Sequence, residues 1–191
     1  MKKLLFTLCY LLYAIASLAQ ANTHIKFMGI PVTGTIAQFQ GKLIAKGCTY
    51  DKKFSASLPN GSRAFTGIFV GNKAHIYVYY DIKTKIVYRT KAVISGVSED
   101  IADQEYSKIK VLLSQKYGSD SEHMYTGTKD DKEATSFIST NDDEEIDGEI
   151  DLYITMDEQT WVRYPYNYNL HIDYNDRINT SKHNSQQFDD I

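Results

Sequence analysis

The chain is poor in cysteine and proline, and it lacks the short motifs of several common enzyme classes. Only two cysteines and three prolines occur among 191 residues. The five histidines form no H-E-x-x-H or other zinc-ligand spacing, and no G-x-S-x-G nucleophile turn is present. These absences argue against a disulfide-stapled scaffold, a proline-rich spacer and the motif-defined zinc and serine hydrolases, and they predict no cofactor.

Positive charge and long apolar runs are also missing. The formal net charge is −3, which argues against a general nucleic-acid binder because such proteins need a basic surface. The apolar run at residues 4–16 is shorter than the ~20 residues that a bilayer-spanning helix requires. We therefore expect no nucleic-acid partner and no membrane span in the mature protein.

The N-terminal segment has the pattern of a secretory signal peptide. Two lysines precede the apolar run, and Ser17 and Ala19 supply the small residues of a cleavage site. We predict a signal peptide over residues 1–19 and an exported protein, either periplasmic or extracellular. Cleavage leaves Cys48 as the one remaining thiol, so no internal disulfide is expected.

The first predicted helix follows a short strand and a turn. Thr35 is a suitable N-cap, and Ile36, Phe39 and Leu43 follow at helical spacing. A lysine and then a glycine mark its end near residue 47. Gly41 lies inside this helix at a cost of ~1 kcal/mol relative to alanine, so we expect a close backbone contact there.

A second, longer helix is predicted between Ser98 and Gly118. Acidic residues at its start suit the helix dipole, and an apolar stripe runs along one side. Alternating apolar and polar residues predict strands around both helices, and fifteen tyrosines favour β-structure. The dipeptide Gly71-Asn72 between two such segments is a two-residue hairpin signal.

The order of elements predicts an α+β fold, with an antiparallel β-sheet and two helices packed on one face. Each helix precedes about four strands, so residues 24–96 and 97–175 form the possible halves of a tandem α-β4 pseudo-repeat. We place one domain at residues 20–175 and a polar, flexible tail at residues 176–191.

An acidic run at residues 141–151 reads NDDEEIDGEID. Carboxylates this dense are the oxygen ligands that Ca²⁺ prefers, which makes Asp143, Glu145 and Asp147 weak metal candidates. Counted as a helix-loop-helix calcium loop from Asp143, the twelfth position is Ile154, where a bidentate glutamate is required. The plainer interpretation is a solvated β-turn whose charges protect neighbouring strand edges.

An aromatic run lies near the C-terminus of the predicted domain. Tyrosine and tryptophan rings can stack on sugars or pack against a protein with little loss of entropy. Burial in the sheet is the competing interpretation, and Pro165 should interrupt the strand. The candidate ligand-binding residues are Trp161, Tyr164, Tyr166 and Tyr168.

Catalysis has weaker support in the sequence. His171 and Asp173 are two residues apart and so share a strand face, which would matter if a nucleophile faced them. A catalytic pair of carboxylates remains an open alternative, because the two residues need to be close in space and not in the sequence.

Two patches resemble a family of uncharacterised secreted Bacteroidetes proteins. Residues 27–47 read FMGIPVTGTIAQFQGKLIAKG, and residues 170–179 read LHIDYNDRIN. The family brings no activity and no site residues. The element order is also similar to the tandem helix-plus-four-strand repeat of β-lactamase-inhibitor-protein-like folds, which implies binding or inhibition.

These observations favour a non-enzymatic, inhibitor-like binding module that contacts a protein partner through a sheet face. A carbohydrate- or envelope-glycan-binding module that uses the aromatic run is the alternative, and a small secreted hydrolase is the third hypothesis.

Overall fold

A computed structural model describes residues 24–118, 124–129, 132–141, 144–157 and 166–188. Four helices are present in these ranges: α1 (Ile36–Ala45), α2 (Lys52–Ser55), α3 (Glu99–Tyr117) and α4 (Arg177–Phe188). The ten strands are β1 (Lys26–Phe27), β2 (Ile30–Pro31), β3 (Thr49–Tyr50), β4 (Ser62–Phe69), β5 (Asn72–Tyr80), β6 (Val87–Val97), β7 (Met124–Lys129), β8 (Lys132–Thr140), β9 (Ile146–Met156) and β10 (Tyr168–Asp176). The predicted signal peptide lies outside the described residues.

Eight strands form one antiparallel sheet in the order β3-β4-β5-β6-β10-β9-β8-β7, and β1 pairs with β2 separately. The α+β class and the antiparallel sheet are thus confirmed. Strands β3 to β6 follow α1 as a meander, and β7 to β10 follow α3 as another. The two meanders meet where β6 pairs with β10.

One face of the sheet is buried across its six central strands. A single cross-strand row runs through six neighbouring strands, and each member is at most 1% exposed. The row consists of Phe65, Ile76, Ala92, Ile172, Leu152 and Thr135. All of them except Thr135 share one core cluster with the buried residues of α1 and α3. Burial of each of the larger apolar side chains in this row contributes about 1.5–3 kcal/mol of transfer free energy.

The two predicted helices are confirmed. Thr35 caps α1 in a capping box with Gln38, and the predicted stripe of Ile36, Phe39 and Leu43 is buried. The expectation of a close backbone contact at Gly41 is wrong, because a Cβ there would meet nothing within 4 Å. Helix α3 begins and ends where the sequence predicts, and no helix in the described ranges has the length and apolarity to cross a bilayer.

The β4–β5 hairpin turns one residue earlier than predicted. Phe69 pairs with Asn72, so Val70 and Gly71 are the two central residues of the turn. Both have positive φ, 48° and 84°, as type I′ turns require. The glycine signal was correct, but a β-branched residue precedes it at a position where asparagine is favoured.

The segment expected to be a flexible tail forms α4 instead. Its sequence is polar and has no apolar stripe from which a helix could be predicted. Asp176 caps α4, since its Oδ1 accepts a hydrogen bond from the Asn179 backbone N–H at 2.8 Å. The Asn179 side chain, 6% exposed, donates to the carbonyl oxygens of Val32 and Val87. Tertiary hydrogen bonds therefore hold this helix in place.

Gly148 tests how closely the N-terminal segment packs on the sheet. A Cβ at Gly148 would lie 2.6 Å from the carbonyl oxygen of Asn175 and 2.8 Å from the Cβ of Ile25. Gly148→Ala should lower the free energy of unfolding by about 1–3 kcal/mol, measured by urea denaturation. Gly127→Ala is the matched control in β7, where a Cβ meets nothing within 4 Å, and should change stability by less than about 1 kcal/mol. Equal effects of the two substitutions would contradict this packing.

Candidate functional site

The side chains that alternate with the buried row lie on the second face of the sheet, which we call the open face. Most of them are half-buried or exposed, whereas the opposite row is fully buried. The register aligns two rows across β5, β6, β10, β9 and β8. One row consists of Tyr77, Lys91, Asp173, Asp151 and Ser136, and the next of His75, Val93, His171, Tyr153 and Ala134.

An ion pair lies at the centre of the open face. The Nε of Arg89 donates to Oδ1 of Asp173 at 2.8 Å, and the guanidinium also donates to Oδ2 in a bidentate arrangement. The guanidinium lies 4.9 Å from the ring centroid of Tyr79. The hydrogen bond that Arg89 donates to Asp173 raises the pKa of Arg89 despite partial burial. Asp173 is only 2% exposed, so Arg89 provides the charge that its burial demands.

A second connected group links Lys91 of the first row to Tyr153 and His171 of the next row. Lys91 Nζ donates to the hydroxyl of Tyr153 at 2.9 Å. The Tyr153 ring stacks on His171 with centroids 4.7 Å apart and an interplanar angle of 13°. His171 Nε2 in turn lies 2.7 Å from the hydroxyl of Thr155. Four side chains from three strands therefore hold one another in fixed positions.

Further contacts extend the face on both sides. Ser136 Oγ donates to Asp151 Oδ1 at 2.6 Å, which orders the side toward β8. On the side toward β4, Phe54 of α2 packs with its ring centroid 6.4 Å from that of His75 and 6.1 Å from that of Tyr77. The open face therefore combines aromatic rings with charges of both signs.

The tyrosines of the open face keep their protons at neutral pH. Burial raises the pKa of Tyr77, and burial also raises the pKa of Tyr79 although the charge of Arg89 opposes it. Burial, supported by the negative charge of Asp173, raises the pKa of Tyr153 to about 12. These hydroxyls therefore serve as hydrogen-bond donors rather than as bases.

The residues predicted from the aromatic run are placed only in part. Trp161 and Tyr164 lie outside the described residues. Tyr166 is 39% exposed, whereas Tyr168 is 7% exposed and belongs to the core cluster. Lys132 Nζ lies 5.3 Å from the centroid of the Tyr168 ring. A ring buried in this way is not available to stack on a sugar.

The acidic run lies at the β8–β9 connection. Asp143 is outside the described residues, Glu145 is exposed, and Asp147 is 6% exposed within β9. Burial raises the pKa of Asp147 although a hydrogen bond from Ser139 opposes the shift. No group of three histidine, cysteine or carboxylate side chains suited to a metal occurs in the described part of the chain.

His171 and Asp173 do share a strand face, as the sequence suggests. Both carboxylate oxygens of Asp173, however, accept from Arg89. The carboxylate is thus committed to the guanidinium rather than to orienting His171, and the pair lacks the geometry of a hydrolase dyad.

Two histidine–aspartate pairs lie elsewhere, where α4 meets the N-terminal segment and the β5–β6 turn. His24 Nδ1 lies 2.8 Å from Asp176 Oδ2, and His183 Nδ1 lies 2.9 Å from Asp81 Oδ2. A cavity of about 240 Å³ adjoins them. Asp176 also caps α4, and Asp81 accepts from the backbone N–H of Thr84 at 2.7 Å. Turn capping and the docking of α4 account for both carboxylates.

The central pair of the open face was missed by sequence reasoning. Arg89 and Asp173 are 84 positions apart, so their contact depends on the pairing and register of β6 with β10. The signal available in the sequence was the alternation of tyrosine, histidine and charged residues with apolar ones in each of these strands.

Comparison with known proteins adds no further assignment. No protein-family model matches the chain, and neither a curated protein nor a solved structure matches it. The geometry of the described residues is therefore the basis of the functional proposal.

The Arg89–Asp173 pair can be tested by a double-mutant cycle. Arg89→Met leaves the buried Asp173 without its partner and should lower the free energy of unfolding by about 2–4 kcal/mol, discounted because Arg89 is partly exposed. The double variant Arg89→Met/Asp173→Asn should recover part of this loss, because no charge then remains buried alone. Additive losses in urea denaturation would contradict a direct pair.

Acid should weaken the docking of α4 through Asp81. Burial raises the pKa of Asp81, but hydrogen bonds from Thr84 and His183 outweigh burial and hold the pKa at about 2, below the reference of 3.8. The stabilisation by ionised Asp81 is thus complete above the unfolded-state pKa and disappears as pH falls from about 4 to 2. The stability gap between wild type and Asp81→Asn should close over that interval. A gap that persists unchanged at pH 2 would contradict this assignment.

Proposed function

We propose that the protein is an exported binding module that contacts a protein partner through the open face. The supporting observation is the pair of cross-strand rows in which aromatic and charged side chains form one connected surface. Aromatic residues and arginine are the side chains enriched at protein interfaces and at their energetic centres.

The rigidity of the open face supports binding without large rearrangement. Arg89 is held by Asp173, and Lys91 is held by Tyr153. Side chains that are already ordered lose less entropy when a partner docks. Charges of both signs also favour one docking register over others, since misplaced like charges repel.

The chemistry of the face favours recognition over bond cleavage. The raised pKa values of Tyr77, Tyr79 and Tyr153 keep these hydroxyls protonated. They can donate hydrogen bonds to carbonyl and carboxylate oxygens on a partner. The commitment of Asp173 to Arg89 further weakens the hypothesis of a hydrolase centred on His171.

Export and inhibitor-like action remain part of the proposal. The signal-peptide pattern of residues 1–19 supports export to the periplasm or outside the cell. The strand order of the sheet is compatible with the α-β4 architecture of inhibitor-like folds, which adds support from analogy of architecture alone. A glycan ligand on the aromatic run is less favoured, because Tyr168 is buried.

Site-specific photo-crosslinking tests the open face. A benzophenone side chain replaces Tyr77 on the open face or, as a control, Ile101, which is 48% exposed on α3, the helix that packs on the opposite side of the sheet. After irradiation with envelope extract, position 77 should give a discrete protease-sensitive adduct in about tenfold higher yield than position 101. Adding Lys91→Glu should reduce that yield, because it reverses a charge beside position 77.

Three results would overturn the proposal. Equal adducts at positions 77 and 101, or none at position 77, would show that the open face has no protein partner in the extract. An adduct at position 77 that resists protease but is released by a muramidase would assign the face to an envelope glycan.

A further inference from the structure

A groove lies on the side of the sheet where α3 packs. The β1–β2 hairpin, the tip of the β4–β5 hairpin and α3 surround it, and its volume is about 440 Å³. Its apolar lining includes Met28, Ile68, Val70 and Leu112. Ile68 is 56% exposed and Leu112 is 45% exposed. The groove therefore presents apolar surface to solvent at the junction of three elements.

Two tight turns present apolar side chains to this groove. Met28 has a φ of 52° and Val70 a φ of 48°, and each precedes a glycine that also has positive φ. Positive φ is unusual for methionine and a clear outlier for a β-branched residue such as valine. The rings of Phe27 and Phe69 stack with centroids 5.3 Å apart, which sets the two hairpins side by side. Backbone strain of this kind concentrates at ligand-binding positions.

Three lysines line the same groove, and no aspartate or glutamate among the described residues does so. Lys26 belongs to β1, Lys46 follows α1, and Lys116 lies in the last turn of α3. Within the described ranges Lys26 and Lys46 make no ion pair, and both are exposed. This is a local concentration of positive charge in a chain of net charge −3.

Two of these charges, those of Lys26 and Lys116, are close enough to repel one another. Burial lowers the pKa of Lys116, and the positive charge of Lys26 lowers it further, while Asp147 opposes the shift more weakly. The Nζ of Lys46 lies 3.8 Å from the position that a Cβ on Gly29 would occupy, so this ammonium reaches the β1–β2 turn. Negative charge brought to the groove would relieve this repulsion.

We propose that this groove docks an acidic amphipathic peptide segment of a partner protein. Apolar side chains of the segment pack on Met28, Val70 and Leu112, and its carboxylates pair with the lysines. The three lysines come from three separate elements and so surround the apolar floor. A fatty acid carries a single carboxylate at one end, whereas an acidic peptide distributes several carboxylates beside its apolar side chains.

This site is separate from the open face and does not depend on the function proposed for it. Lys26, Val70 and Leu112 belong to β1, the β4–β5 turn and α3, and none of them belongs to the two rows of the open face. Failure of one proposal therefore leaves the other intact.

A labelled synthetic peptide tests the groove. The probe is a fluorescein-labelled helical peptide of about four turns with leucine on one face and glutamate on the other, and a copy with glutamine in place of glutamate is the neutral control. Fluorescence anisotropy should show saturable binding of the acidic peptide that weakens as salt is added, because exposed charges are screened. The neutral copy should bind about tenfold more weakly.

Matched variants locate the binding. Lys26→Glu/Lys46→Glu and, separately, Leu112→Ser should each weaken binding about tenfold. The first control variant, Lys52→Glu/Lys53→Glu on α2, makes the same change in net charge as Lys26→Glu/Lys46→Glu. Val111→Ser alters the neighbouring position of α3, which is 55% exposed and does not line the groove. Both control variants should bind as wild type within about twofold.

Several results would overturn the proposal. These are no binding at millimolar peptide, equal binding of the neutral copy, or equal losses in the control variants. Laurate that displaces the peptide at lower concentration than an unlabelled copy of the peptide would assign the groove to a lipid-like anion instead.

Discussion

The pairing of β6 with β10 is the contact on which the rest of the sheet depends. Ala92 lies opposite Ile172 in this pair, and the register places both in the row that is buried from β4 to β8. Without the pair, each four-stranded meander would end in an unpaired edge strand, which promotes aggregation. The same register brings Arg89 within reach of Asp173 on the other face. The buried core and the polar cluster of the open face thus have one origin.

The helices and hairpins that the sequence predicted correctly have local signals. Thr35 caps α1, and the spacing of Ile36, Phe39 and Leu43 defines its buried side. Helix α4 has no such stripe, and its position depends on Asn179, which reaches backbone carbonyls in two distant segments. Tertiary contacts of this kind cannot be read from hydrophobic periodicity. Gly41 is the opposite case. Its low helix propensity suggested a close backbone contact, but the position is open and no neighbour requires a glycine there.

The candidate site was harder to predict than the fold. The sequence drew attention to the aromatic run because its tyrosines lie close together along the chain, yet Tyr168 of that run is buried. The open face is assembled from alternate residues of β5, β6, β10, β9 and β8, none of which is unusual in its own segment. Only the register identifies them as neighbours, because a shift of one residue would reverse the face of every side chain.

The two proposed surfaces differ in whether their charged side chains already have partners within the protein. On the open face the charges already have partners, as in the pair of Arg89 with Asp173. The groove retains repulsion between Lys26 and Lys116, together with a strained φ at Val70 of the kind that costs about 1–3 kcal/mol. A ligand that neutralises the lysines would bind only the folded chain and so stabilise it. At equal concentration an acidic segment should therefore raise stability more than its neutral copy, because the acidic segment binds more tightly.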